Sequence, residues 1–447
     1  HCKIMDLILE SAKELHSGLI VFVLDAEGDL AVSLEAFSAE HLANFSQSHQ
    51  GAVLQEMVLN MFLTEGTVGD KKPVEMFLES HSDLSTQQRD IVNNWQHSFA
   101  GLFAVNRISD DGFELSNWLT NKQYTVKIDS KEQQQLKRAK EGEILLARIV
   151  PVCDSYWMFS SPITLMGRLG KPKLAVAIGN FKDNYKNYLY GDAPELLEEA
   201  WLSVEKYHQR FVDFFGSDEI TLPGYQLEKK LSELQEQVNQ NTLEAAGIDS
   251  SKSLKEMVRD ADISDEEMAE VVEGMGVEAK AISKVLDSNK SVKMVTPKVE
   301  LPPHLKKAEE VTVLSFPRWG QIFLTNYTQV KSLLENGNVN EQINSDKLVR
   351  EYLESAEIKA CVWHRLSEQY PEQLEKLLQQ VLNRPEFNLK HNYTDLLKEF
   401  NKNLNAELPE IASVPLHLHN LFQEALSEVK GKSSKKGKSK PKGGFGS

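Results

Sequence analysis

Gly101-Leu-Phe-Ala-Val-Asn-Arg-Ile108, Asp110-Asp-Gly112 and Phe113-Glu-Leu-Ser-Asn-Trp-Leu-Thr120 carry the reading of the stretch, 94–167, that decides the fold. Asn121-Lys and Gln123-Tyr-Thr-Val-Lys-Ile128 follow. Beyond a polar Lys/Gln/Glu patch come Gly142-Glu-Ile-Leu-Leu-Ala-Arg-Ile-Val150 and Ser155-Tyr-Trp-Met-Phe159. These are four or five short runs rich in Val, Ile, Tyr, Phe and Trp. Asp-Gly and Asn-Lys turn signals separate them, and the combination predicts strands closing on one another. It reads as a small SH3-like or OB-like β-barrel. Trp118 and Trp157 are expected in its core, with Trp95 packing a helix against it; an aromatic groove for an extended peptide is the sharper alternative.

On the N-terminal side, Ile4, Leu7, Ile8 and Leu15 recur at helical spacing. Leu19–Leu24 and Leu30–Leu34, flanking Asp25-Ala-Glu-Gly28, read as a β-hairpin. Pro73 and the capping-box pattern Ser85-Thr-Gln-Gln88 each open a helix. Leu174–Ile178 reads as one further strand, and a strong helix runs from Pro194 to Phe215. From Gln226 onward charges crowd and aromatics vanish, until Phe316-Pro-Arg-Trp-Gly320 restores them. The expected class is α+β, a mostly helical chain around the barrel, with a C-terminal helical bundle. Its parts are a helical segment with the hairpin (1–93), the barrel (94–180) and a helix packing on it (181–224). An acidic helical arm (225–291), a linker (292–310), the bundle (311–429) and a disordered basic tail (430–447) complete the chain.

The 447 residues favour two or three domains. The net charge of −16 argues against a broad nucleic-acid footprint, although a local basic site is compatible with it. Three widely separated cysteines are no disulfide framework, so a cytoplasmic or other reducing soluble compartment is expected. No apolar run reaches the ~18–20 residues that span a bilayer. Neither a nucleophile elbow nor the full Gly-x-x-x-x-Gly-Lys-Ser/Thr pattern of a phosphate-binding loop is present. Gly167-Arg-Leu-Gly-Lys-Pro-Lys173 reads as a basic β-turn; as an anion loop it would use Arg168, Lys171 and Lys173. Cys361-x-x-His364 and His417-x-His419 together have the donor types of a zinc site, but no spacing brings the pairs together. The plainer reading is a buried Cys361 and half-exposed histidines, with no cofactor. The clearest binding-type signal is the tail. Lys430, Lys432, Lys435, Lys436, Lys438, Lys440 and Lys442 alternate with Gly and Ser, and Phe445 supplies an aromatic that can stack on a base.

Met61-Phe-Leu63, Pro73–Glu79, Leu84–Val92, Gly101–Val105, Leu115-x-x-Trp-Leu-Thr120, Tyr124-Thr-Val126 and Gly142–Pro151 follow in order. Over residues 50–165 they resemble the uncharacterised helical plus small-β-barrel region of bacterial SEC-C motif-containing proteins. The resemblance implies helices leading into a small β-domain whose last strand reads Gly-x-x-Leu-x-Ala-Arg, here Gly142 to Arg148. The Cys-rich SEC-C knuckle itself is absent, so zinc binding is not carried over. The resulting expectation is a non-enzymatic interaction or assembly protein that binds a protein or ribonucleoprotein complex. The alternatives are an RNA-binding factor using the barrel and the basic tail, and a cryptic metal-dependent hydrolase built on the Cys/His pairs.

Overall fold

Residues 2–44, 51–245, 294–336 and 345–436 are described by the computed structural model. The chain divides into two compact units, 1–197 with 415–447, and 198–414. Five helices lead into the barrel: α1 (Cys2–Leu24), α2 (Asp29–Asn44), α3 (Gly51–Glu65), α4 (Pro73–Ser80) and α5 (Thr86–Asn94). The hairpin expected at Leu19–Leu34 is instead the end of α1 and the start of α2. Ala12, Leu15, Leu19 and Val23 are all buried. That three-to-four-residue spacing runs straight through the β-branched run, and the packing it permits outweighs a strand preference worth at most ~1 kcal/mol. The turn signal itself holds, since Gly28 takes φ +73° between the two helices. The capping box of α5 forms as read: Gln88 N donates to Ser85 Oγ at 3.2 Å, and Ser85 N donates to Gln88 Oε1 at 2.9 Å.

The barrel strands are β1 (Phe99–Ser109), β2 (Gly112–Asn117), β3 (Gln123–Lys127), β4 (Ile144–Cys153) and β5 (Tyr156–Phe159), with α6 (Ser130–Gln135) between β3 and β4. Their order is β1-β2-β3-β5-β4, and β4 also pairs with β1, which closes a five-stranded barrel. All neighbours are antiparallel except β3 and β5, which meet in parallel at Val126 and Trp157. β1 serves two partners by bending. Its first half pairs with β4 and its second with β2, with a register shift between Val105 and Arg107. At the β1–β2 hairpin Gly112 is required for space, because a Cβ there would lie 2.0 Å from Val126 O. β6 (Thr164–Gly167) adds to the outer edge of β4.

Phe99, Phe103, Phe113, Tyr124 and Phe159 fill the barrel. Trp118 and Trp157 are half-buried against this core, while Trp95 is 1% exposed among the N-terminal helices. Leu174–Ile178 is not a strand but part of α7 (Lys171–Asn184), whose Leu174, Ala177, Ile178 and Phe181 join the barrel core. This changes the reading of 181–224. The long helix α8 (Pro194–Phe215) passes at Glu198 into the second unit instead of packing wholly on the barrel.

The second unit continues with β7 (Glu219–Leu222) and α9 (Gly224–Ala245). Beyond Ala245 the expected acidic arm lies outside the described residues. β8 (Val311–Phe316) and β9 (Gly320–Leu324) form a hairpin, with β7 antiparallel on the other side of β8. The helices α10 (Tyr327–Asn336), α11 (Ser345–Glu354), α12 (Ala360–Gln369), α13 (Pro371–Val381) and α14 (Leu389–Glu399) follow. The described residues of 311–429, expected as one bundle, therefore divide into this hairpin, five helices and a last helix, Leu416–Lys436, that belongs to the first unit. That helix inserts Leu418 and Leu421 into the barrel core. It also overturns the disordered tail as far as Lys436; residues 437–447 lie outside the described part. Among the described residues no helix is long and apolar enough to cross a membrane.

Candidate functional site

Two features of the barrel unit concentrate polar chemistry, one buried and one exposed. The buried one is Arg148 on β4, 3% exposed and paired in register with Ala100. A guanidinium out of water must have its donors met. Here Nη1 donates to Tyr188 Oη at 2.9 Å, and Nη2 donates to Thr64 Oγ1 at 2.9 Å and Ser98 Oγ at 3.1 Å. Glu65 supplies the countercharge, with Oε1 3.8 Å from Nη2, and also accepts from the Tyr188 hydroxyl. Burial pushes the Tyr188 phenol up, so it stays protonated and bridges the two ions. His16 on α1 lies within reach of this charge. Its imidazole is held down at about 4, first by burial and then by the Lys13 and Arg148 cations. One arginine thus links α3, the approach to β1, β4 and the turn at Lys186–Tyr188.

Beside it lies a small cleft. Met57, Met61, Leu146, Pro162 and Tyr185 make it mostly apolar, and no carboxylate, imidazole or thiol lines it. With the Arg148 donors committed elsewhere, the cleft offers an apolar surface and no group poised for proton transfer.

The exposed feature is a rim where β1, the loop before β4 and the end of β6 meet. Gly142 N donates to Val105 O at 2.8 Å, Ile108 N to Glu141 Oε1 at 3.3 Å, and Arg168 Nη2 to Glu141 O at 2.8 Å. These bonds hold three segments side by side, and the exposed cations on them are Arg107, Lys137, Arg138, Lys140 and Arg168. The carboxylates among them are occupied. Glu141 takes the Ile108 amide and Glu143 the Lys140 amide at 3.0 Å, while Glu114, across from Arg107, accepts from Thr125 Oγ1 at 2.9 Å. Asp111, the next acid along, pairs with Lys127. Among the described residues none of the five cations forms a salt bridge.

Of the residues singled out in the sequence, Arg168 joins this rim. Lys171, at the start of α7, is paired with Glu424 at 2.8 Å, and Lys173 is exposed one half-turn on. The expected basic turn therefore runs into the start of α7 at Lys171. Lys430 and Lys432 are exposed on the last helix, and Lys435 and Lys436 continue it. Lys438, Lys440, Lys442 and Phe445 lie outside the described residues. The metal candidates separate between the two units. Cys361 on α12 is buried and its thiol is pushed up to about 12, while His364 is exposed with its ring 5.3 Å from that of Tyr393. In the other unit His417 Nε2 donates to Trp118 O at 2.6 Å, and burial lowers both His417 and His419. Among the described residues no group of three or more His, Cys, Asp or Glu could hold a metal ion.

Arg148 carried a signal in the sequence, a lone charge inside the apolar run Ile144–Val150, which a buried strand tolerates only with partners. The rim did not. Lys137, Arg138 and Lys140 are diluted by Glu141 and Glu143 in the chain, and only folding brings Arg107 and Arg168 beside them. No protein family, no curated protein and no solved structure matches the chain.

Proposed function

We propose that the chain is a non-enzymatic binding protein working within a protein or ribonucleoprotein assembly, with the barrel as its rigid platform. The observation that carries this reading is the connectivity of the barrel. A three-strand meander, β1-β2-β3, is followed by a helix and then by a hairpin that returns β5 parallel to β3 and closes β4 on β1. This supports the oligonucleotide/oligosaccharide-binding type of five-stranded barrel over the SH3-like type. Such barrels serve many ends, so the surface matters as much as the topology. The cleft beside Arg148 is apolar and offers no acid–base pair, while the chain displays its unpaired cations outside, on the rim and along the last helix.

Affinity capture of the full chain from native lysate at low salt, with and without ribonuclease, tests the proposal. A defined partner is expected in stoichiometric amount, and recovery of the chain alone would overturn the reading. A second reading, direct RNA binding, is favoured by the barrel type together with the exposed cations. It requires that ribonuclease treatment release bound material and that affinity fall steeply with salt.

A further inference from the structure

The rim of Arg107, Lys137, Arg138, Lys140 and Arg168 is the strongest unassigned feature of the barrel unit. It sits on a chain of net charge −16, where acidic residues outnumber the cations. Here the five cations share the surface with Glu141 and Glu143, which accept from backbone amides, with Glu114 across from Arg107 and with Asp110 and Asp111 at the turn that follows β1. The rim also lacks the usual anchor of a protein–protein contact, a large apolar or aromatic side chain that fills a pocket. On the elements that form it, the exposed large apolar side chains are Ile108, at 37%, and Leu165, at 38%, and neither is aromatic. Charges without an apolar centre suit a ligand held through many anionic groups.

We propose that this rim grips the phosphodiester backbone of a single-stranded polynucleotide. Arg107 stands near the end of β1, Lys137, Arg138 and Lys140 in the loop before β4, and Arg168 just after β6, so none is on a helix that could enter a duplex groove. A flexible single strand can follow such a surface, and phosphate contacts alone impose no base sequence. None of the five rim cations belongs to the last helix, so substitutions can test the two groups independently. This inference rests on the binding-protein reading and deepens it.

The test uses the purified full chain and fluorescein-labelled 20-mers of uridine and of 2′-deoxyuridine, followed by anisotropy between 50 and 200 mM KCl. Wild-type protein is expected to bind with a steep inverse salt dependence. Equal affinity for the two oligomers assigns the grip to the shared phosphodiester, and a preference for uridine adds contacts to the ribose hydroxyl. The variant Arg107→Gln/Lys137→Gln/Arg138→Gln/Lys140→Gln, all at exposed positions, should bind at least tenfold more weakly. Its slope of log K against log salt should flatten by roughly 2–3, because each lost contact on a single strand removes about 0.7. Lys430→Gln/Lys432→Gln should retain most of the rim's affinity. Unchanged binding in the fourfold variant, its circular dichroism matching wild type, would overturn the rim as the site. If neither oligomer binds the wild type at 50 mM salt, the polynucleotide proposal falls. A protein partner captured from lysate and lost in the fourfold variant would replace it with an acidic protein, leaving the broader reading standing.

Discussion

Arg148 and His16 show how single residues hold the first unit together. Removing the guanidinium strands the Thr64, Ser98 and Tyr188 hydroxyls and leaves Glu65 without its cation. Breaking a buried pair from one side is costly, so Arg148→Met should lower the unfolding free energy by about 3 kcal/mol. Lysine cannot reproduce the fork that reaches three hydroxyls, so Arg148→Lys should recover little of that loss. Urea midpoints of the three proteins check both statements, and equal midpoints for wild type and Arg148→Met would remove the arginine from this role. His16 gives a pH dependence of definite sign. Its pKa is about 4 in the folded chain and near 6.5 when unfolded, so between those values the unfolded state binds the extra proton. The stability from the neutral ring is fully present above pH ~6.5 and is lost as pH falls toward 4. Because the ring is half-buried, roughly 1–2 kcal/mol is a fair magnitude after solvent screening. His16→Gln should flatten that part of the stability profile between pH 6.5 and 4.5, and an unaltered slope would contradict the assignment.

At the level of elements, the barrel was legible where turn chemistry and alternation agreed. Asp110-Asp-Gly112 and Asn121-Lys122 sit at the two hairpin turns, with Asn121 at φ +62° as an Asx residue tolerates. Gly112 is a steric requirement as well as a turn signal. Gly112→Ala should therefore cost about 2–4 kcal/mol by prising β2 from β3, read as a lower thermal midpoint with loss of near-ultraviolet signal from the barrel aromatics. A wild-type midpoint would show that the hairpin yields without cost. Local composition misled at Leu19–Leu34 and Leu174–Ile178. In both, β-branched or apolar runs imitate strands, yet burial falls on one helical stripe that only the packed neighbours select. The same limit applies to the candidate site. The rim draws on residues 107, 137–140 and 168, and no periodicity within one segment announces a surface assembled from three.

At the level of the molecule, the second unit is an insertion. The chain leaves the barrel unit at Leu197 and re-enters it at Pro415. Leu418 and Leu421 then complete the barrel core, with Lys171–Glu424 and the His417–Trp118 hydrogen bond tying the last helix in place. Truncation after Val414 should therefore destabilise the barrel unit itself, whereas truncation after Lys436 should leave its melting unchanged. Calorimetry of both shortened proteins checks this; an intact barrel transition in the shorter one would make the helix an accessory. The same discontinuity sets an order in time. During synthesis the barrel strands emerge first, but the side chains that seal their core leave the ribosome more than two hundred residues later, after the whole inserted unit. The nascent barrel must wait with an unsealed apolar surface while a later unit has all its parts in hand. The piece made first is thus the last to be finished, and any delay in reaching Leu418 lengthens its exposure to aggregation.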